Sequence, residues 1–206
     1  MVAVDQHAKS LTVPDGTIVT ALAAELARSN GIEIVYGEET TAGPSSSLRT
    51  VAIGSDHGGF EYKRVLIPFV SDLGWKVTDV GTDSTSSCDY PDFAYAVAKT
   101  VQTGTTRFGI MIDGAGVGSA MACNKLHGIR AACAYNEFVA WNSRAHNDAN
   151  VLTLGSRTMG IEICKMMVKM FLETSFEGGR HAKRTQKIED IEDRKSSSES
   201  CGCQTH

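Results

Sequence analysis

The sequence predicts an α/β fold, a five-stranded parallel sheet covered by helices on both faces and preceded by a helical extension. Three observations carry that expectation. Strand-like and helix-like apolar patterns alternate from residue 49 to about 190. The helical stretches have the length of βαβ crossovers. Polar and glycine-rich clusters follow the first and third strand patterns, where open parallel sheets gather their ligands.

The N-terminal extension, residues 1–48, begins polar and holds one helical pattern, from Thr17 to Gly31, with Ile18, Leu22 and Leu26 at helical spacing. Asp15 or Thr17 can cap its start and Gly31 can stop it. A helix this short is marginal alone in water, so it is expected to dock, either on its own domain, on another copy, or on a different protein. The run Thr40-Thr-Ala-Gly-Pro-Ser-Ser-Ser47 then reads as a linker. In the domain over 49–190, strands are expected at about 50–54, 76–80, 108–112, 129–134 and 151–154. Helices are expected at about 59–73, 92–103, 117–126, 136–145 and 160–173. Residues 191–206 are polar and are expected to be disordered.

The 206 residues carry a net charge of −4, which offers no general attraction for nucleic acid or an anionic membrane. Six cysteines, at 88, 123, 133, 164, 201 and 203, are scattered, and four of them sit in element-like segments. That usage suits reduced thiols better than a disulfide framework. No apolar run approaches the roughly 20 residues of a membrane span, and no signal-peptide pattern opens the chain. The expectation is a soluble, intracellular protein.

The densest chemistry lies at Phe108-Gly-Ile-Met-Ile-Asp113-Gly-Ala-Gly-Val-Gly118, an apolar strand running into a glycine-rich turn and a helix. Glycines at 114, 116 and 118 leave amide groups uncovered, and such an array at a helix start attracts anions. The spacing is neither the dinucleotide fingerprint nor a Walker loop, so a plain strand-to-helix turn is an equal reading. Ser55-Asp56-His57-Gly58-Gly59 follows the first strand and offers hydroxyl acceptors and a cation, or simply a capped turn. His146-Asn147-Asp148-Ala149-Asn150 precedes the fifth strand. Its imidazole can move protons near neutral pH and its Asn147 amide can donate to an oxyanion, unless the segment is only an Asx-type turn. Late in the chain, Arg180 and Arg184 share one face if helical and suit a phosphate, although such a cluster is often just solvated surface.

Taken in order, Gly54-Ser-Asp-His-Gly-Gly59, Asp89-Tyr-Pro-Asp92, Gly114-x-Gly-x-Gly118 with Asn124-Lys125, Gly128-Ile-Arg-Ala131, His146-Asn-Asp-Ala-Asn150 and Glu177-Gly-Gly-Arg-His181 form a recognisable set. The chain resembles the ribose-5-phosphate isomerase B family, which includes galactose- and allose-6-phosphate isomerases, over residues 49–190. The resemblance implies a Rossmann-like three-layer sandwich, a homodimer or dimer of dimers with active sites shared between subunits, and a phosphosugar substrate. It implies cofactor- and metal-free aldose–ketose isomerisation through an enediolate, with ribose 5-phosphate to ribulose 5-phosphate the first expectation and a tetrose or hexose phosphate the alternative. Carried over by motif, Asp56, His57 and Tyr90 contact substrate. The amides of Gly114, Ala115, Gly116, Val117 and Gly118 form the anion hole. His146 assists ring opening and Asn147 steadies the enediolate. Arg180 and Arg184, with Arg157 and His57, hold the phosphate.

Two departures stand out. Many members of that family carry a cysteine as the base at the position of Asp113, and others a glutamate at the position of Ser119, so Asp113 becomes the candidate base. Ala115 stands where many members carry Thr or Ser. A different class of reading follows from these losses, a sugar-phosphate-binding or scaffold protein with weak catalysis. The N-terminal helix with Gly31-Ile-Glu-Ile looks like extensions on enzymes packaged in bacterial microcompartments, implying a shell or cargo partner.

Overall fold

A computed structural model describes residues 10–13, 19, 21–36 and 49–199, and the chain divides into two compact units, Met1–Ser45 and Ser46–His206. In the first unit β1 (Ser10–Val13) and β2 (Glu33–Tyr36) pair in parallel, with Ser10 opposite Glu33, and α1 (Ala21–Ser29) connects them. The helix matches expectation and ends at Gly31, whose φ of +68° stops it. The two strands correct a reading that found only a helix there. Each is four residues long, too short for alternation to register, although Leu11-Thr-Val and Ile34-Val-Tyr are strand-favouring residue types. The caps proposed at Asp15 and Thr17, with Ile18 and the linker, lie outside the described residues.

The second unit holds the five-stranded sheet, all parallel, in the order β4-β3-β5-β7-β6. The strands are β3 (Thr50–Ser55), β4 (Lys76–Asp79), β5 (Phe108–Asp113), β6 (Ala131–Cys133) and β7 (Val151–Gly155). Helices α2 (Phe60–Asp72), α5 (Glu137–Ala145) and α6 (Ile161–Glu173) contribute to one apolar layer. Helices α3 (Tyr90–Gln102) and α4 (Val117–Cys123) contribute to the other. This is the three-layer arrangement expected. Every residue of β5 and β7 is buried, which is why both read as unbroken apolar runs rather than alternating ones.

The larger layer centres on Phe171, fully buried, with its ring edge-on to Phe108 at 5.4 Å between centroids. Arg144 is buried in the same region, its guanidinium 4.6 Å from the Phe108 centroid. It is tolerated because Nη1 donates to Asp148 at 2.7 Å and to the Ala149 carbonyl at 2.6 Å. Burial lowers the Arg144 pKa from its ordinary value while Asp148 opposes the shift.

A further helix, α7 (Ala182–Glu199), overturns the expectation of disorder across 191–199, whereas 200–206, including Cys201 and Cys203, lie outside the described residues. Its acidic run is a docking face. Glu189 pairs with Arg130 at 3.0 Å, Glu192 accepts the Gly128 N–H at 2.8 Å, and Asp193 meets His127 at 3.1 Å. Composition marked residues 191–206 as a polar tail because the partners of Glu192 and Asp193 lie some sixty positions earlier in the chain. Among the described residues, no helix is long and apolar enough to cross a membrane.

Phe171→Ala should destabilise the domain by about 3–5 kcal/mol, since it opens a cavity beneath both Phe108 and Arg144. Urea denaturation of the variant beside the parent checks this.

Candidate active site

The parallel register sorts the candidate residues between the two edges of the sheet. At the carboxyl edge, Ser55 lies opposite Ile112 and Asp113 opposite Gly155, so the turns after β3, β5 and β7 converge. The Asp56 N–H donates to the Ile112 carbonyl, and the Ser156 hydroxyl donates to the Gly58 carbonyl at 2.7 Å. The two motifs expected to be neighbours lie side by side.

Within this edge Asp56 turns Oδ1 back on the N–H groups of Gly58 and Gly59, at 2.9 and 3.0 Å, which builds the entry to α2 and leaves Oδ2 facing His57 at 3.9 Å. His57 Nδ1 contacts the backbone of Cys88, so Nε2 is the nitrogen available to a ligand. Arg157 lies over Gly114, where a Cβ would stand 3.6 Å from its Cδ. Tyr90 packs onto Gly118 so closely that a Cβ there would lie 2.6 Å from the ring. Gly116 adopts φ +81°, and its carbonyl is held by the buried Thr153 hydroxyl at 2.7 Å. The left-handed turn and the close approach explain two of the three glycines.

Asp113 is buried, and its carboxylate bends into its own loop. Oδ1 accepts the N–H of Ala115 at 2.7 Å and that of Gly116; Oδ2 accepts the N–H of Ser119 at 3.3 Å and the Ser119 hydroxyl. Two of the five amides expected to form the anion hole therefore serve Asp113. Among the described residues, no protein acceptor takes the N–H of Gly114, Val117 or Gly118. Ala115 is exposed and offers no hydroxyl. Burial pushes Cys123 up to about 12 and raises Cys133, with the Asp113 charge adding to both.

The second group sits at the amino edge. The Asn150 carbonyl accepts the N–H of Gly109, four residues before Asp113 in β5. At a strand rise of about 3.3 Å per residue, the segment around His146 starts roughly 13 Å from the Asp113 loop. Of the motif His146–Asn150, the last three residues are structural. Asp148, at φ +46°, bridges Arg130 and Arg144, and Asn150 clasps the backbone of Gly128 and Arg130. Asn147 donates to Asn142 and lines a cavity of about 470 Å³ with Arg130, Ser143 and Ile188.

His146 is pinned on several sides. The Asn142 amide meets Nδ1 at 2.9 Å, Glu177 stands 3.4 Å from Nε2, and His181 stacks face to face at 4.0 Å and 8°. Arg180 Nε contacts His181 Nε2 at 3.3 Å, and the charges of Arg180 and Arg184 both act on that imidazole. Burial lowers the His181 pKa, and His146, Arg180 and Arg184 add to the shift. His146, Glu177 and His181 approach closely enough to suggest a metal triad. The parallel stacking argues against it, because an ion in one ring plane would lie well outside the other.

Asn142, Glu177, His181 and Ser119 were not assigned roles from sequence. The four-residue helical spacing of Asn142 and His146 was a usable signal. The Ser119–Asp113 bond spans a turn whose geometry only the fold supplies.

A ribose/galactose isomerase family pattern matches residues 51–188. Ribose-5-phosphate isomerase B of Escherichia coli K12 is 43% identical over 148 residues, covering 72% of this chain and 99% of that protein. D-erythrulose-4-phosphate isomerase of Pectobacterium atrosepticum is 35% identical over 142 residues, 68% of this chain and 93% of its own length. Among solved structures, ribose-5-phosphate isomerase B of Clostridium thermocellum superposes with a TM-score of 0.69 at 46% identity, covering 70% of this chain and 98% of that one. Since the match runs from β3 through the first two turns of α7, and so through both groups of polar side chains, the chain belongs to the ribose/galactose isomerase family.

Proposed function

We propose that the protein interconverts an aldose phosphate and its ketose, with ribose 5-phosphate and ribulose 5-phosphate the first pair to test. The observation that carries this reading is the Asp113 carboxylate seated in a glycine turn with three spare amides, beside Tyr90, His57 and Arg157. Asp113 takes the proton from carbon 2 and returns it to carbon 1. The amides of Gly114, Val117 and Gly118 hold the enediolate oxygen. No cofactor or metal is assigned a part.

His146, Asn147, Arg180 and Arg184 stand at the far edge of the same sheet and cannot reach that loop within one chain. A second copy supplies them, His146 for ring opening, Asn147 for the enediolate and the arginines, with Arg157 and His57, for the phosphate. The active unit is therefore a homodimer, or a dimer of dimers, with shared sites. Val117, Met121, Tyr135 and Phe138 are exposed apolar residues on or near α4 and the start of α5, and they suit such a contact.

A tetrose or hexose phosphate is the second reading, favoured by Ala115, which removes a hydroxyl from the turn, and by the relative named for erythrulose 4-phosphate. Segment 1–48 is assigned to docking on another protein, a microcompartment shell or cargo protein in the first instance, which would place the enzyme in the cytoplasm or inside such a compartment. Residues 49–190 are assigned to the isomerase domain, and α7 continues it to Glu199.

Turnover measured across ribose, ribulose, tetrose and hexose phosphates should show one preferred pair, and Asp113→Asn should lower kcat on it by at least about 100-fold. Binding of phosphosugars without turnover by the parent would instead favour the scaffold reading. Asp113→Asn and His146→Ala should each be nearly inactive. Mixed in equal amounts and allowed to exchange subunits, they should regain about a quarter of parental activity, since half the dimers carry one intact site. No recovery despite demonstrated exchange would count against shared sites. Removing residues 1–47 should leave kcat and KM unchanged, and loss of turnover would assign the segment to the catalytic unit.

A further inference from the structure

Asp113 has four donors on its two oxygens, and a carboxylate offers about four lone-pair positions. A base needs one of them free. Three of the donors are backbone amides of Ala115, Gly116 and Ser119, fixed by the turn and the first turn of α4. None can withdraw without unwinding the helix start. The fourth, the Ser119 hydroxyl, turns about a single bond and is fully buried, so water does not replace it. It is also the one donor of the four that can reverse, because a hydroxyl accepts as well as donates.

We propose that Ser119 is the positioning residue for Asp113. Its hydroxyl latches the carboxylate into the loop and frees a lone pair on Oδ2 for the substrate by turning its O–H away while Oγ stays in place. The C–H bond at carbon 2 breaks as the O–H bond on Oδ2 forms, and the electron pair stays in the enediolate. While Oδ2 carries the proton, the Ser119 oxygen accepts a hydrogen bond from it. The proton then passes to carbon 1 as the ketose carbonyl forms at carbon 2. This role rests on Asp113 being the base, whereas the latch itself does not.

The test uses the full chain with Ser119→Ala, Ser119→Cys and Asp113→Asn. In the ligand-free protein, hydrogen exchange of the Ala115 and Gly116 amides reads the latch, and in Ser119→Ala it should speed up by about tenfold or more while β5 keeps parental rates. With the preferred phosphosugar, Ser119→Ala should lower kcat by about 10- to 100-fold with KM within about twofold, because the base is no longer held in place. The primary isotope effect with substrate deuterated at carbon 2 should rise. Ser119→Cys, a weaker donor, should fall between parent and Ser119→Ala on both readouts. Parental exchange at Ala115 and Gly116, or a parental kcat in Ser119→Ala, overturns the proposal. If Asp113→Asn turns over at the parental rate, the base assignment fails and takes the proton-holding role with it. If Asp113→Asn is inactive while Ser119→Ala is unaffected, only the role of Ser119 fails.

Discussion

The carboxyl edge of the domain is organised around one charge, the Asp113 carboxylate folded back into the turn that follows it. Parallel pairing fixes where that charge sits, opposite Gly155 and one strand away from the Asp56 turn. The left-handed Gly116 lets the chain wrap the carboxylate, and the buried Thr153 hydroxyl holds the Gly116 carbonyl from the neighbouring strand. Ser156 secures the Asp56 turn in the same way. An unpaired carboxylate in this position would be costly, and the loop's amides offset that cost. The consequence for chemistry is direct. Amides spent on Asp113 are no longer available for a ligand, and of the five in the turn only those of Gly114, Val117 and Gly118 have no protein acceptor.

A parallel sheet has two unlike edges, and this chain places polar groups at both. The carboxyl edge has the Asp113 carboxylate, the glycine-turn amides, Tyr90 and Arg157. The amino edge has His146 with its stack on His181, the Asn142 contact, Glu177 and the arginine pair. The second group is built as firmly as the first. Arg130, Asp148, Arg144 and Asn150 knit the turn before β7 to the loop before β6, and α7 is tied to that loop through Glu189 and Glu192. Such rigidity suits side chains that must meet a substrate held elsewhere, since small misplacements are expensive in rate. The strand length between the edges keeps the two groups roughly 13 Å apart within one chain.

Local sequence was enough wherever a signal lay within a few residues. The strands of the sheet and the helices between them followed from apolar runs, with Gly31 correctly read as a stop. The convergence of the Asp56 and Asp113 motifs also followed, because parallel α/β topology dictates it. Signals that depend on distant partners were lost. The end of α7, from Ile191 on, read as a disordered tail because Gly128 and His127, the partners of Glu192 and Asp193, are remote in sequence. The strands β1 and β2 were missed because four residues give too little pattern.

The sequence by itself determined the fold class, the family and the identity of the polar residues at each motif, because residue type and spacing are local properties that survive without coordinates. Tertiary structure decided how those residues divide their hydrogen bonds. Asp113 spends two expected oxyanion donors on itself, Asp148 and Asn150 hold the scaffold together, and within one chain His146 lies at the opposite end of the strands from the Asp113 loop. Each outcome depends on the direction of a lone pair, a carbonyl or a strand, and direction is set only when the chain closes on itself.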